Sequence, residues 1–112
     1  MREKFRYIVF ISKSLPEDKD DFYKIIVSTL VELFGLRSLA FSRLTLVDYI
    51  PGRGGVIKVR REAIHIARTA LAFYKNNKTP IRVIKIAGTL RKAKSILRSY
   101  PCDENAKNKG DK

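Results

Sequence analysis

Cysteine, histidine and tryptophan are nearly missing from this sequence: one Cys, one His and no Trp in 112 residues. A lone Cys102 can form no internal disulfide, and it builds neither a multi-cysteine zinc site nor a Cys-x-x-Cys redox pair. It reads as a bystander in the tail. Acids are scarce where metal chemistry would need them: between residues 35 and 98 only Asp48 and Glu62 are available. Metal-assisted nuclease chemistry requires several convergent carboxylates, so an enzyme acting alone is disfavoured and no protein active site is expected. Long apolar runs are missing as well. None approaches the roughly 18 residues of a membrane span, and residues 1–15 lack the apolar stretch and cleavage site of a signal peptide. The expectation is an intracellular, cytoplasmic protein with no membrane partner.

What the sequence has is positive charge, unevenly placed. Residues 51–98 hold thirteen Lys and Arg against one acid, Glu62, whereas residues 1–50 carry eight basic and seven acidic residues and residues 99–112 carry three of each. The charged stretch also shows regular apolar periodicity, so it reads as one basic surface on a folded domain, the electrostatic footprint of a nucleic-acid binder. The expected organisation is a single domain over residues 1–98 and a polar tail over 99–112.

Residues 5–12, FRYIVFIS, are apolar on both alternating faces and predict a central strand. A helix should start near Ser14 or Leu15, with Pro16 at its first position and Glu17, Asp18, Asp20 and Asp21 at the positive end of its dipole. Phe22, Ile26, Leu30 and Leu33 form its core stripe. Tyr23, Val27, Val31 and Phe34 widen that stripe to about half the circumference, more than a small surface helix needs, and Gly35 supplies the C-cap. Residues 39–50 read as a long strand with Ala40, Leu44, Leu46 and Ile50 on one face and Phe41, Arg43, Thr45, Val47 and Tyr49 on the other. The second face suits an RNA-stacking platform, a protein interface or a half-covered surface. Tyr23, Val27, Val31, Phe41, Val47 and Tyr49 are the candidate partner-facing residues.

PGRGG at 51–55 reads as a hairpin turn with Arg53 at its tip, followed by a strand at 56–60. It lacks GxxxxGK[ST] and enters a strand, so it is no P-loop; it is either a tight turn or a turn that also approaches an RNA backbone. A helix over 62–75, a breaker at 76–80, a strand over 81–87 and a basic helix capped by Gly88 and Thr89 complete the chain. The order predicts an α+β fold, a ferredoxin-like or RRM-like βαββαβ sandwich with an added C-terminal helix. Since the first and last strands are apolar on both faces, either that helix or another protein must cover the sheet's second face.

Lys58 and Arg60 share one side of their strand. Arg61, His65 and Arg68 share the exposed face of the next helix, and Arg91, Lys92 and Lys94 flank the free N–H groups of the last, a plausible phosphate seat. His65 has no relay partner nearby except Glu62 and reads as a surface or RNA-contacting histidine.

The stretch GVIKVRREAIHIARTALAFY followed by TPIRVIKIAGTLRKAKSIL resembles the protein component 2 family of archaeal ribonuclease P, which shares ancestry with a small eukaryotic subunit of ribonucleases P and MRP. The resemblance covers about residues 4–98. VRREAIH and AGTLRKAK are its most specific segments, and the tail matches nothing. It implies a ferredoxin-like fold and a role in removing the 5′ leader of precursor tRNA, with the RNA subunit supplying the active site and its Mg2+. It implies a TIM-barrel-like partner, component 3, in some members within a dimer of heterodimers. Carried over, the family's basic segments make Arg60, Arg61, Arg68, Arg91, Lys92 and Lys94 RNA contacts, with Lys58 and Arg53 after them. The third strand, VIKVR, lacks the paired aromatics of a single-strand-binding RRM, which favours shape and phosphate recognition. The competing readings are a generic basic RNA-binding or assembly protein and a small stand-alone phosphohydrolase using His65.

Overall fold

A computed structural model describes residues 4–13, 15–74 and 81–100. In it the chain runs β1 (Phe5–Ile11), α1 (Lys19–Phe34), α2 (Leu36–Ser42), β2 (Thr45–Ile50), β3 (Gly54–Arg60), a 3-10 turn (Arg61–Ala63), α3 (Ile64–Ala72), β4 (Arg82–Ala87) and α4 (Leu90–Ser99). The expectations for Ser14, Lys75, the breaker at 76–80, Cys102 and the rest of the tail beyond Tyr100 lie outside the described residues. β1 buries Ile8 and Phe10 on one side and Val9 and Ile11 on the other. Such a strand needs cover on both faces and neighbours on both edges. It has both, in an antiparallel sheet of order β2-β3-β1-β4. With α1 and α3 on one face this is the ferredoxin-like arrangement, and α4 is the added helix.

α1 begins later than Pro16 suggests. Asp18 is its N-cap, the carboxylate accepting from the Asp20 N–H at 3.1 Å, because a side-chain acceptor satisfies a free amide that proline cannot. Pro16 stays outside, and its carbonyl accepts the Tyr49 hydroxyl. Gly35 closes the helix as expected, at φ 94° with its N–H on the Val31 carbonyl.

The long strand at 39–50 needs correction. Residues 36–42 form α2, Ser42 donates to the Leu39 carbonyl at 2.9 Å, and Arg43 turns the chain at φ 52° before β2 starts at Thr45. A short apolar run does not tell helix from strand by periodicity alone. The facing of β2 also departs from strict alternation. A bulge between Leu46 and Asp48 lets Leu46 and Tyr49 share the α1 side while Val47 and Ile50 share the other.

Phe22 is the hub of the first core: its ring stacks on Phe10 at 5.3 Å and tilts against Tyr49 at 5.3 Å and Tyr74 at 5.0 Å. Tyr49, expected on an open sheet face, is thus a core ring with its hydroxyl tied to Pro16. Tyr23 is half-buried and donates to the Leu44 carbonyl at 3.1 Å. Around PGRGG, Gly52 takes the positive φ of the turn at 76°. Gly54 and Gly55 are already strand, and they are glycine because a Cβ would stand 2.1 Å from the Phe10 carbonyl oxygen at one and 2.6 Å from that of Asp48 at the other.

The second face of the sheet is covered by α4. Ala93 and Leu97, four residues apart on one helix face, are fully buried against Val9, Ile11, Val56 and Ala87; a buried leucine contributes about 2 kcal/mol. The Arg53 guanidinium fastens the helix's far end. It donates to the Leu97 carbonyl from Nε at 3.1 Å and from an Nη at 2.8 Å, to that of Arg98 at 3.2 Å, and to that of Tyr100. Helix C-termini leave such carbonyls without intrahelical partners and favour a cation. Arg98 adds an ion pair to Asp48 at 2.9 Å.

Two expected outcomes follow from this packing. Arg53→Ala should lower stability by roughly 2 kcal/mol and speed amide exchange along α4 first; unchanged α4 protection would show that the guanidinium does not hold the helix. Tyr74 is 8% exposed with no hydrogen-bond partner for its hydroxyl among the described residues, so Tyr74→Phe should stabilise by about 1 kcal/mol in urea unfolding at neutral pH. Burial, then the Asp21 charge, pushes the Tyr74 hydroxyl from 10.0 up to about 12. The unfolded chain therefore loses this proton first. Stability present below pH 10 falls as pH rises toward 12, and the variant should lose less of it.

Candidate nucleic-acid interface

Antiparallel order decides which chain ends meet. Phe5 faces Arg60, Tyr7 faces both Lys58 and Ala87, and Thr45 faces Lys58. β1 and β2 therefore start, and β3 and β4 stop, at one end of the sheet. The 3-10 turn and α3 leave β3 from that end, and α4 leaves β4 from it. The Arg61 N–H donates to the Lys4 carbonyl at 2.8 Å across the same corner. The opposite end carries the β2–β3 turn and the start of α1, whose acids reach far enough to raise the hydroxyl pKa of Tyr49: burial acts first, then Tyr74, Asp18 and Asp21. The cations of residues 58–68 and 91–94 thereby gather at one, basic end of the sheet, while the acids near residue 20 lie at the other, beside Arg53 and Arg82.

Most of the candidate residues collect at the basic end. Arg61, His65 and Arg68 are exposed at i, i+4 and i+7, one stripe from the 3-10 turn along the outer face of α3. Arg91, Lys92 and Lys94 are exposed on α4, whose first turn is capped by the Thr89 hydroxyl accepting from the Lys92 N–H at 3.2 Å. Glu62 pairs with Arg61 at 3.5 Å, with both side chains about half exposed. Such a surface pair is worth little and leaves the cationic field of the stripe largely intact. Lys58 and Arg60 are half-buried, each against a ring: the Lys58 ammonium lies 4.5 Å from the centre of Phe5 and the Arg60 guanidinium 4.9 Å from that of Phe41. Arg53 is not brought to this group; it sits at the other end, engaged with α4.

His65 has no paired carboxylate among the described residues. Nor do the described residues hold any group of three or more His, Cys, Asp or Glu side chains placed to share a metal ion. No described helix is long and apolar enough to cross a membrane.

An apolar corner, including the partner-facing candidate Phe41, is exposed on α1 and α2. Leu33 and Phe34, placed in the α1 core stripe, are 43% and 36% exposed, and Leu36 and Phe41 on α2 are 70% and 42% exposed. The stripe was too wide for one core to absorb, and its C-terminal part stays exposed. Of the other candidate partner-facing residues, Val27 and Val31 are half-buried on α1, and Val47 packs with the α4 core.

A family model described as the Rpp14/Pop5 family matches residues 6–98, from β1 through nearly all of α4 and across every candidate cation. No curated protein matches the sequence at a significant level.

Exchanging Arg61 and Arg68 for Gln, or Arg91 and Lys92 for Gln, should weaken RNA binding and flatten its dependence on log salt by up to about 0.9 per lost duplex phosphate contact. An unchanged slope in a folded variant would remove that pair from the interface.

Proposed function

The chain belongs to the Rpp14/Pop5 family of ribonuclease P protein subunits, and on that premise we propose that it is the component 2 type of subunit, holding the catalytic RNA by its basic end. Ribonuclease P removes the 5′ leader of precursor tRNA. In this reading the RNA supplies the active site and uses Mg2+, and the protein supplies fixed cations. Packed RNA phosphates repel one another; arginines held on a rigid helix neutralise them without the entropy cost of localising free ions.

The observation that carries this reading is the gathering of Arg61, His65, Arg68, Arg91, Lys92 and Lys94 at one end of the molecule, away from the acids that open α1. A fold that merely needed charge for solubility has no reason to gather so many cations at one end. The apolar corner of Leu33, Phe34, Leu36 and Phe41 supports a protein partner beside the RNA. A TIM-barrel-like component 3 is the partner proposed for it, with two copies of this chain joined in a heterotetramer.

The test is reconstitution. Cleavage of a precursor tRNA by the cognate catalytic RNA and component 3 should appear at lower Mg2+ when this chain is added, and not at all without the RNA. If the chain leaves the Mg2+ requirement unchanged, its role is general RNA binding or assembly; if it cleaves alone, the ribozyme-cofactor reading fails.

A further inference from the structure

We propose that the end of the sheet left open by α4 is a seat for one unstacked RNA nucleotide, its base resting on the ring of Phe5 and its phosphate held by Lys58. The inference rests on the RNA-binding reading above but concerns a different kind of contact, with a base and not only with the backbone.

The opening follows from where the elements stop. Residues directly opposite in an antiparallel pair share a face, so Phe5, Tyr7, Arg60, Lys58 and Thr45 all lie on the side that α4 covers. α4 starts at Leu90, after a β4 that ends at Ala87 opposite Tyr7, and its buried residues Ala93 and Leu97 run from there toward Ile11. On β1 the core that α4 packs against starts at Tyr7 and does not take in Phe5. β2 begins at Thr45, opposite Lys58, and stops short of Arg60. Phe5 therefore projects from a sheet end that is two strands wide, and it is only half-buried.

The ring is marked by what sits on it. An ammonium 4.5 Å from the Phe5 centroid is a group that must stay hydrated, so that face of the ring is not sealed in the core. A nucleobase has a polarised π-face of similar reach and stacks on phenylalanine. When it does, the flexible Lys58 stem lets the ammonium move from the ring to the phosphate. The Thr45 hydroxyl, exposed in the same row and donating to the Arg43 carbonyl at 3.3 Å, keeps an acceptor for a base edge. The Arg60–Phe41 pair at 4.9 Å forms the rim. Aromatic rings alternating with cations on a strongly basic surface match a base joined to a phosphate. The stacking surface thus lies on the first strand, and the absence of paired aromatics in the third does not exclude it.

The test uses a ten-nucleotide oligoadenylate and an abasic strand of the same length and charge, titrated with the full chain at fixed salt. Wild type should prefer the oligoadenylate by at least about fivefold, the lower range for one stacked base. Phe5→Leu, which keeps the apolar bulk, should erase that preference with the salt slope unchanged; Phe5→Tyr should restore it. Equal affinity of wild type for both strands, or a preference that survives Phe5→Leu, would overturn the seat while leaving phosphate binding standing. No binding of either strand or of folded RNA would overturn the RNA-binding reading itself. Should Phe5→Leu not fold, photocrosslinking of a 4-thiouridine-containing oligomer to wild type decides. An adduct on Phe5 or Tyr7 supports the seat, and adducts confined to α3 and α4 overturn it.

Discussion

The seating of α4 on the sheet's second face is the contact on which the functional end depends. Without Ala93 and Leu97 in place, Val9, Ile11 and Val56 would face water, and a four-stranded sheet with one bare apolar face associates or aggregates. The helix also carries Arg91, Lys92 and Lys94, so the apolar stripe that completes the core fixes where those cations stand. Arg53 completes the arrangement from the opposite end of the molecule, gripping the last carbonyls of α4. A residue whose place in a glycine-rich turn suggests a ligand contact braces the helix that presents the cations.

Charge separation within the fold comes from topology more than from any local motif. The acids that open the first helix and the cations Arg61, Arg91 and Lys92 begin elements that leave the sheet at opposite ends, because α1 follows a strand running one way and α3 and α4 follow strands running the other. Like charges gathered at one end repel and reduce stability. That cost is the usual sign of a surface shaped for a polyanion, since binding releases counterions from the nucleic acid.

Much of this was legible in the residues. The double-sided apolar character of β1, the Gly35 cap, the β2–β3 hairpin and the amphipathic C-terminal helix give the fold class, and clustering after residue 50 gives the cations. What was not legible depended on single backbone events. Arg43 at φ 52° converts the expected long strand into a helix and a shorter strand, and arginine carries no signal for that conformation. The bulge after Leu46 turns Tyr49 into the core, and a bulge without a glycine or proline is silent in sequence. The grip of Arg53 on α4 was not legible because its partners lie more than forty residues away in the chain. The Phe5–Lys58 pair was hidden for the same reason: strand register, not spacing along the chain, brings them together.

The central position of β1 has a consequence for the order in which the molecule can be made. Its two neighbours are residues 54–60 and 82–87, so as the chain emerges from synthesis β1 has no strand partner until more than half of it has appeared, and no second one until most has. Among the described strands the β2–β3 hairpin, joined by a short turn, is the only pairing of neighbours in sequence and is the natural place for the sheet to begin. Until then a segment apolar on both faces waits without an edge to join, which is the state in which nascent chains are most exposed to wrong pairing. The acids that follow it in the first helix keep that waiting stretch next to a strongly hydrated one.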